Sequence, residues 1–177
     1  MPQIISAENP VLIRRNSDPW GWLGNMSHFP IWHEGVEWRT TEALFQALRV
    51  SDEETREKIR AEMNPMAAKM LAKNYAHMRT VEVLSEDDLN LMRLCLQLKI
   101  QQHPRLGEEL QRTGERAIIE DVTFRIQTLR DEKPGSALFW GAALQEDGTW
   151  KGLNWLGRLW MELREHTREP DLSDIGL

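Results

Sequence analysis

The scarcities of this sequence narrow its possibilities first. It holds a single cysteine, Cys95, so no internal disulfide can form. Its neighbours Leu94 and Leu96 place the thiol in apolar surroundings, where it makes a poor nucleophile, and a reducing compartment is the natural setting. The five histidines, His28, His33, His77, His103 and His166, show no paired metal-ligand spacing, so neither a zinc site nor another metal or cofactor is expected. No G-x-S-x-G elbow and no G-x-G-x-x-G turn occurs, which removes the usual serine-hydrolase and dinucleotide-binding signatures. No apolar run is long enough to span a bilayer, and Met1–Asn9 lacks the basic start and apolar stretch of a signal peptide. A cytoplasmic location is the expectation. The net charge of −6 argues against broad electrostatic binding of nucleic acid, while leaving room for a local basic pocket around one phosphate.

What is present fits one globular domain. The chain has 177 residues, 41% hydrophobic and 28% charged, enough to bury a core. Eight tryptophans stand against four phenylalanines and one tyrosine; most are expected in the core, with one or two ring faces free to line a pocket for a planar base. Residues 1–38 read as strands and loops, including the apolar run Val11–Ile13 and a hairpin in which Phe29–Trp32 and Val36–Trp38 flank His33-Glu34-Gly35. Helices follow. Thr40 caps one carrying Ala43, Leu44, Ala47 and Leu48 on one face. Ser51 and Glu54 have capping-box spacing for a second, running to about Met63. Asn64-Pro65 opens a third. Ser85 starts a longer one with Leu89, Met92, Cys95, Leu96 and Lys99, ending near His103-Pro104. Leu106 and Leu110 fit a shorter helix. Asp131–Gly135 reads as a loop, Ala137–Trp140 as a strand, Gly141–Gly152 as a polar loop, and Leu156–Leu163 as a last amphipathic helix. After Pro170 the chain reads as a frayed tail. The expected fold class is α+β, a single mostly helical domain with a small β-sheet.

Three stretches carry candidate chemistry. In the first long helix Glu42, Gln46 and Arg49 stand at i, i+4 and i+7 on one face. Periodicity alone favours a solvated face; flanking Trp38 and Phe45 argue for a sheltered one, where a desolvated carboxylate suits acid–base work. Lys69 and Lys73 lie one turn apart, a mildly unfavourable pair that a phosphate would relieve, although two exposed lysines is the commoner meaning of such spacing. The third stretch is Trp140-Gly141 with the glycine-bearing loop from Asp147 to Asn154. There Asn154 can cap the last helix, a role at least as expected as ligand binding.

These residues also carry a resemblance. Leu23–Ile31, Trp38–Ala47, Lys99–Pro104 with Thr113-Gly114 and Ile118–Glu120, then Trp140-Gly141 and Gly152–Arg164, are similar in order to the motifs of the NADAR family, over about residues 12 to 166. The resemblance implies an α+β fold and hydrolysis of an N-glycosidic bond. The implied substrates are ribosylamino-pyrimidine phosphates of riboflavin synthesis, or ADP-ribose attached to guanine in a nucleotide or DNA. By motif position Glu42 becomes the catalytic carboxylate, and Asn25, Gln46, Trp140, Gly141 and Asn154 become pocket residues. In the mechanism this implies, Glu42 stabilises an oxocarbenium-like transition state or activates water, while Asp147, Glu120 or solvent protonates the leaving nitrogen. Arg49, Lys69 and Lys73 are candidates for phosphate contact, and Lys69 is also the first candidate for a covalent route through a ring-opened sugar. The family's His and Tyr after the glutamate are Ala43 and Leu44 here, and its acids before Trp-Gly are Ser136, Ala137 and Leu138. A module that binds ADP-ribose without cutting it is therefore the alternative. The expected partner is a small ribosyl-phosphate or ADP-ribose substrate, with no membrane and no obligatory protein partner.

Overall fold

The structure, a computed structural model, describes residues 3–128 and 135–167. In chain order the elements are β1 (Gln3–Ile5), β2 (Val11–Ile13), β3 (Ile31–His33), β4 (Val36–Trp38), α1 (Thr41–Leu48), α2 (Glu53–Ala61), α3 (Pro65–Asn74), α4 (Glu86–Gln102), α5 (Pro104–Gln111), β5 (Ile118–Glu120), α6 (Thr123–Thr128), α7 (Gly135–Trp140), β6 (Ala142–Leu144), β7 (Trp150–Gly152) and α8 (Trp155–Thr167). Helices dominate, and the α+β class holds. The expected sheet is three small pieces: β1-β7-β6 antiparallel, β2-β5 parallel, and the β3-β4 hairpin. The loop residues Asp131–Pro134 and the tail after Pro170 lie outside the described residues.

Local chemistry explains most element starts. Thr40 has extended backbone and its side chain accepts the Ala43 N–H, closing the first turn of α1. Asn64 accepts the Met66 N–H at 2.8 Å just before Pro65 opens α3. Ser85 takes the Asp88 N–H at the start of α4. α2 departs from expectation: Asp52, not Ser51, caps it by accepting the Thr55 N–H at 2.8 Å. Glu54 is drawn instead to Lys58, 2.7 Å away on the helix surface, so no capping box closes. The β3-β4 turn uses Glu34 and Gly35, both at positive φ, the backbone that a tight hairpin requires.

Two expectations near the C-terminus are overturned. Ala137–Trp140 belongs to a short helix, α7, and is not a strand. A short apolar run does not reveal its period, and either element satisfies it. Gly141–Gly152 is not an open loop, because β6 and β7 pair across it, with Ala142 opposite Gly152. The turn holds Asp147, whose carboxylate takes the Thr149 N–H, and Gly148 at φ 82°.

α1 lies at the centre, packed against α2, α3 and α4. Nearly every side chain it carries is buried, polar ones included. β5 is equally interior: Ile118 and Ile119 are fully buried, and β5 runs parallel to β2 with Ile13 beside Glu120. Trp160 of α8 is fully enclosed, edge-on to Trp22, and donates its indole N–H to the Leu23 carbonyl at 2.9 Å. The core therefore brings the N-terminal half of α1 and the C-terminal end of β5 into one region. Among the described residues, no helix is long and apolar enough to cross a membrane.

Candidate active site

The polar face of α1 is sheltered. Glu42, Gln46 and Arg49 are 4%, 4% and 6% exposed, so the solvated reading of that face is wrong. A polar side chain withdrawn from water needs partners, and these three find them in series. Asp88 of α4, fully buried, grips the Arg49 guanidinium with both oxygens, at 2.7 and 2.6 Å. Arg49 donates a further N–H to the Gln46 carbonyl oxygen at 3.3 Å. That fixes which way the amide points. Its NH2 then donates to Oε1 of Glu42 at 2.9 Å. Lys69 of α3 approaches the same oxygen at 3.6 Å from the solvent side. The series runs from a buried ion pair to a carboxylate held as an acceptor, with one cation at its mouth. The Arg49 guanidinium also lies 4.1 Å from the centre of the Phe45 ring. Arg49 thereby orients Gln46, with three of its N–H donors engaged by Asp88 and Gln46.

A second carboxylate lies within electrostatic reach of the first. Glu120 ends β5, and its Oε2 is sealed from solvent without a hydrogen-bond partner. Burial pushes its carboxyl above the ordinary value; Arg125 and Lys69 pull it back, and the nearby charge of Glu42 pushes it further up. Arg125 of α6 reaches 4.0 Å from the other oxygen. Glu120 is thus a buried carboxyl with a raised affinity for its proton, while Glu42 accepts a hydrogen bond from Gln46.

Close backbone packing holds Glu120 in place. A Cβ on Gly141 would fall 2.4 Å from the Glu120 carbonyl oxygen, and one on Gly157 would fall 2.0 Å from that of Ile118. Only glycine permits both approaches. Asn154, at φ 52°, accepts the Glu120 N–H on its side-chain oxygen at 3.0 Å and donates to the Ile118 carbonyl at 2.8 Å. Its side chain pins β5, so the expected helix-capping role is not the one it plays. The first main-chain hydrogen bond of α8 goes to its carbonyl instead.

Other expected residues sort by position. Asn25 sits beside Glu42: its main-chain carbonyl accepts the Glu42 N–H at 2.9 Å, while its side-chain oxygen is buried and unpartnered. Trp140 is half-buried, edge-on to Phe45 at 5.6 Å, at the end of α7. Lys73 is exposed on α3. Asp147 lies on the exposed β6-β7 turn, where hydrogen bonds from Thr149 hold its carboxyl below the ordinary range. A carboxyl held low in this way is a poor proton donor. Cys95 is fully buried, and desolvation pushes its thiol up. Asp88 and Arg125 escaped sequence reading. Asp88 looked like a helix-start acid, and Arg125 lies in a stretch without clear periodicity. Two surface clefts, one bounded by Ser6–Glu8 and Glu115–Ala117 and one outside α1 between Trp38 and Arg60, are lined by neither Glu42 nor Glu120.

These features define a class: a mostly helical α+β domain built around a sheltered carboxylate pair, with lysine and arginine at its edge. The chain belongs to the NADAR family, whose domain model matches residues 12–168. It is 34% identical over 151 residues to the N-glycosidase YbiA of Shigella boydii serotype 4, covering 84% of this chain and 82% of that one. Against the N-glycosidase YbiA of Escherichia coli K12 the identity is 33%, with the same coverage. The NMR structure of the E. coli protein YbiA superposes with a TM-score of 0.67 at 29% identity, covering 92% of this chain and 86% of that one.

Proposed function

We propose that this protein is a hydrolase of N-glycosyl bonds, and that its substrate joins a ribose to a base nitrogen. The relatives named N-glycosidase YbiA support the glycosidase role. The observation that carries the chemistry is the pair Glu42 and Glu120, one accepting a hydrogen bond from Gln46 and the other raised in proton affinity by burial. Both features suit the breaking of a ribose–nitrogen bond. The carbon acquires positive charge, which an anion stabilises while directing water, and the departing nitrogen needs a proton. Glu42 supplies the first function and Glu120 the second. The buried, unpartnered side-chain oxygen of Asn25 supports a role in receiving a ribose hydroxyl. Lys69 and Lys73, exposed on α3, are available to a phosphate.

Two substrate classes fit: ADP-ribose attached to guanine, and ribosylamino-pyrimidine phosphates. A single buried thiol accords with a cytoplasmic site of action. The deciding experiment incubates the protein with ADP-ribosylated guanosine and, separately, with a ribosylamino-pyrimidine phosphate, and follows freed sugar by mass spectrometry. Turnover of either by the wild type, with a loss of about 10²–10³ in kcat for Glu42→Gln, supports the reading. Full turnover by Glu42→Gln removes Glu42 from the chemistry. The rival, a module that holds ADP-ribose uncut, draws on the absence of acids at Ser136–Leu138. Calorimetric binding of ADP-ribose without any turnover would favour it.

A further inference from the structure

Lys99 is fully buried in α4, and among the described residues no carboxylate pairs with it. A methionine would fill the same space without stranding a charge. What it could not do is bind three oxygens at once, and that is what Lys99 does. Its Nζ donates to the Trp22 carbonyl, to the Gly24 carbonyl at 3.2 Å and to the Ser27 hydroxyl at 2.8 Å. All three belong to one loop. The rings of Phe29 and Trp160 lie 5.3 and 5.9 Å from Nζ and close the remaining space. Desolvation brings the ammonium down to about 7, and the three loop oxygens are the partners its N–H groups find.

The loop so held is the one that meets Glu42. The first amides of a helix have no partner within it. In α1, Thr40 takes the Ala43 N–H, and the Asn25 carbonyl takes the Glu42 N–H at 2.9 Å. Asn25 lies between Gly24 and Ser27, both bound by Lys99, and its side chain reaches the Met92 sulfur of α4 at 3.4 Å. One helix therefore anchors the loop on both sides of the carbonyl that caps another.

We propose that Lys99 is a positioning residue. Its ammonium ties the Trp22–Ser27 loop to α4 so that the Asn25 carbonyl caps α1 at Glu42 and sets where that carboxylate stands. The proposal rests on the reading of Glu42 as the catalytic carboxylate, but the capping step is measurable without turnover. The experiment compares wild type, Lys99→Met and Ser27→Ala in the full chain. It follows amide hydrogen exchange at Glu42 and, in the same helix, at Ala47, together with kcat and KM on ADP-ribosylated guanosine. The expected result is exchange at Glu42 at least tenfold faster in Lys99→Met and severalfold faster in Ser27→Ala, with Ala47 little changed. In both variants kcat falls while KM moves less. If exchange accelerates equally at Glu42 and Ala47, the lysine merely stabilises the fold and the proposal is overturned; unchanged exchange at Glu42 also overturns it. Should Lys99→Met fail to fold, Ser27→Ala decides alone. If the wild type turns over no substrate, the proposed function falls, and the exchange data still decide the role of Lys99.

Discussion

At the scale of single residues, Glu120 carries the sharpest consequence. Its carboxyl lies above the ordinary glutamate value because β5 buries it beside Glu42. An acid works only while it holds its proton, so activity should fall as pH rises through that elevated value, later than an exposed glutamate would allow. Glu120→Gln should lower kcat by about 10²–10⁴-fold and abolish that alkaline limb. Stability offers a separate check with the same sign in pH. A carboxyl whose folded pKa is raised contributes most at low pH, and the contribution is lost as pH rises through the folded value. The glutamine variant should therefore be at least as stable as wild type at pH 8, so that poor activity with an undiminished melting temperature is the expected pair. An alkaline limb unchanged in Glu120→Gln would transfer the acid role elsewhere. Arg49 teaches a related lesson. Its place at i+7 from Glu42 was legible in the sequence, but its partner was not, because Asp88 lies on another helix and nothing local connects them. Side-chain chemistry can be read from sequence where the partner is a neighbour, as with Thr40 and Asn64, and is hidden where the fold supplies it.

At the scale of elements, the helices from α1 to α5 followed from caps, prolines and apolar stripes, because those signals act within one or two turns. The strands followed only in part: Val11–Ile13 and the hairpin at Glu34-Gly35 were legible, and β5, β6 and β7 were not. β2 and β5 are three residues each and pair across more than a hundred positions, with Val11 beside Ile118. Such short strands have no alternation to display, and the pairing is fixed by burial from both faces. The glycines explain what motif position could only indicate. Gly141 and Gly157 are where α7 and α8 come against β5, so their role is to set the distance from two helix ends to the strand that bears Glu120. Gly157→Ala tests this. The new methyl would overlap the Ile118 carbonyl oxygen and also fall 2.5 Å from the Asn154 side-chain nitrogen. β5 must shift, at a cost of about 1–3 kcal/mol, and kcat should drop with it. Gly107→Ala in α5 is the control. Its nearest neighbour would be the Ile100 side chain at an ordinary 3.4 Å, so the gain of about 0.5–1 kcal/mol from replacing a helical glycine should appear as a small rise in melting temperature. Equal behaviour of the two variants would mean that the closeness at Gly157 does not position the strand.

At the scale of the whole molecule, the question is why a domain of this size buries Glu42, Gln46, Arg49, Asp88 and Lys99 together. Buried charge seldom adds stability over apolar packing of the same shape. Its presence at the centre, on the helix packed by three others, marks a molecule that gives up stability to hold a preorganised polar interior. A bound ligand should return some of it. Any ligand that binds the folded chain alone stabilises it by RT ln(1 + [L]/Kd), about 2.7 kcal/mol at a hundredfold excess over Kd. For a chain of this length that corresponds to roughly 5–10 °C in melting temperature. Under the enzymatic reading, ADP-ribose should raise the melting temperature of both wild type and Glu42→Gln, whereas only the wild type should release a base from ADP-ribosylated guanosine. A purely structural domain would show no shift with either protein. A shift in both proteins with no release by the wild type would leave a binding module. Melting curves and the release assay together therefore separate three kinds of protein that share this fold.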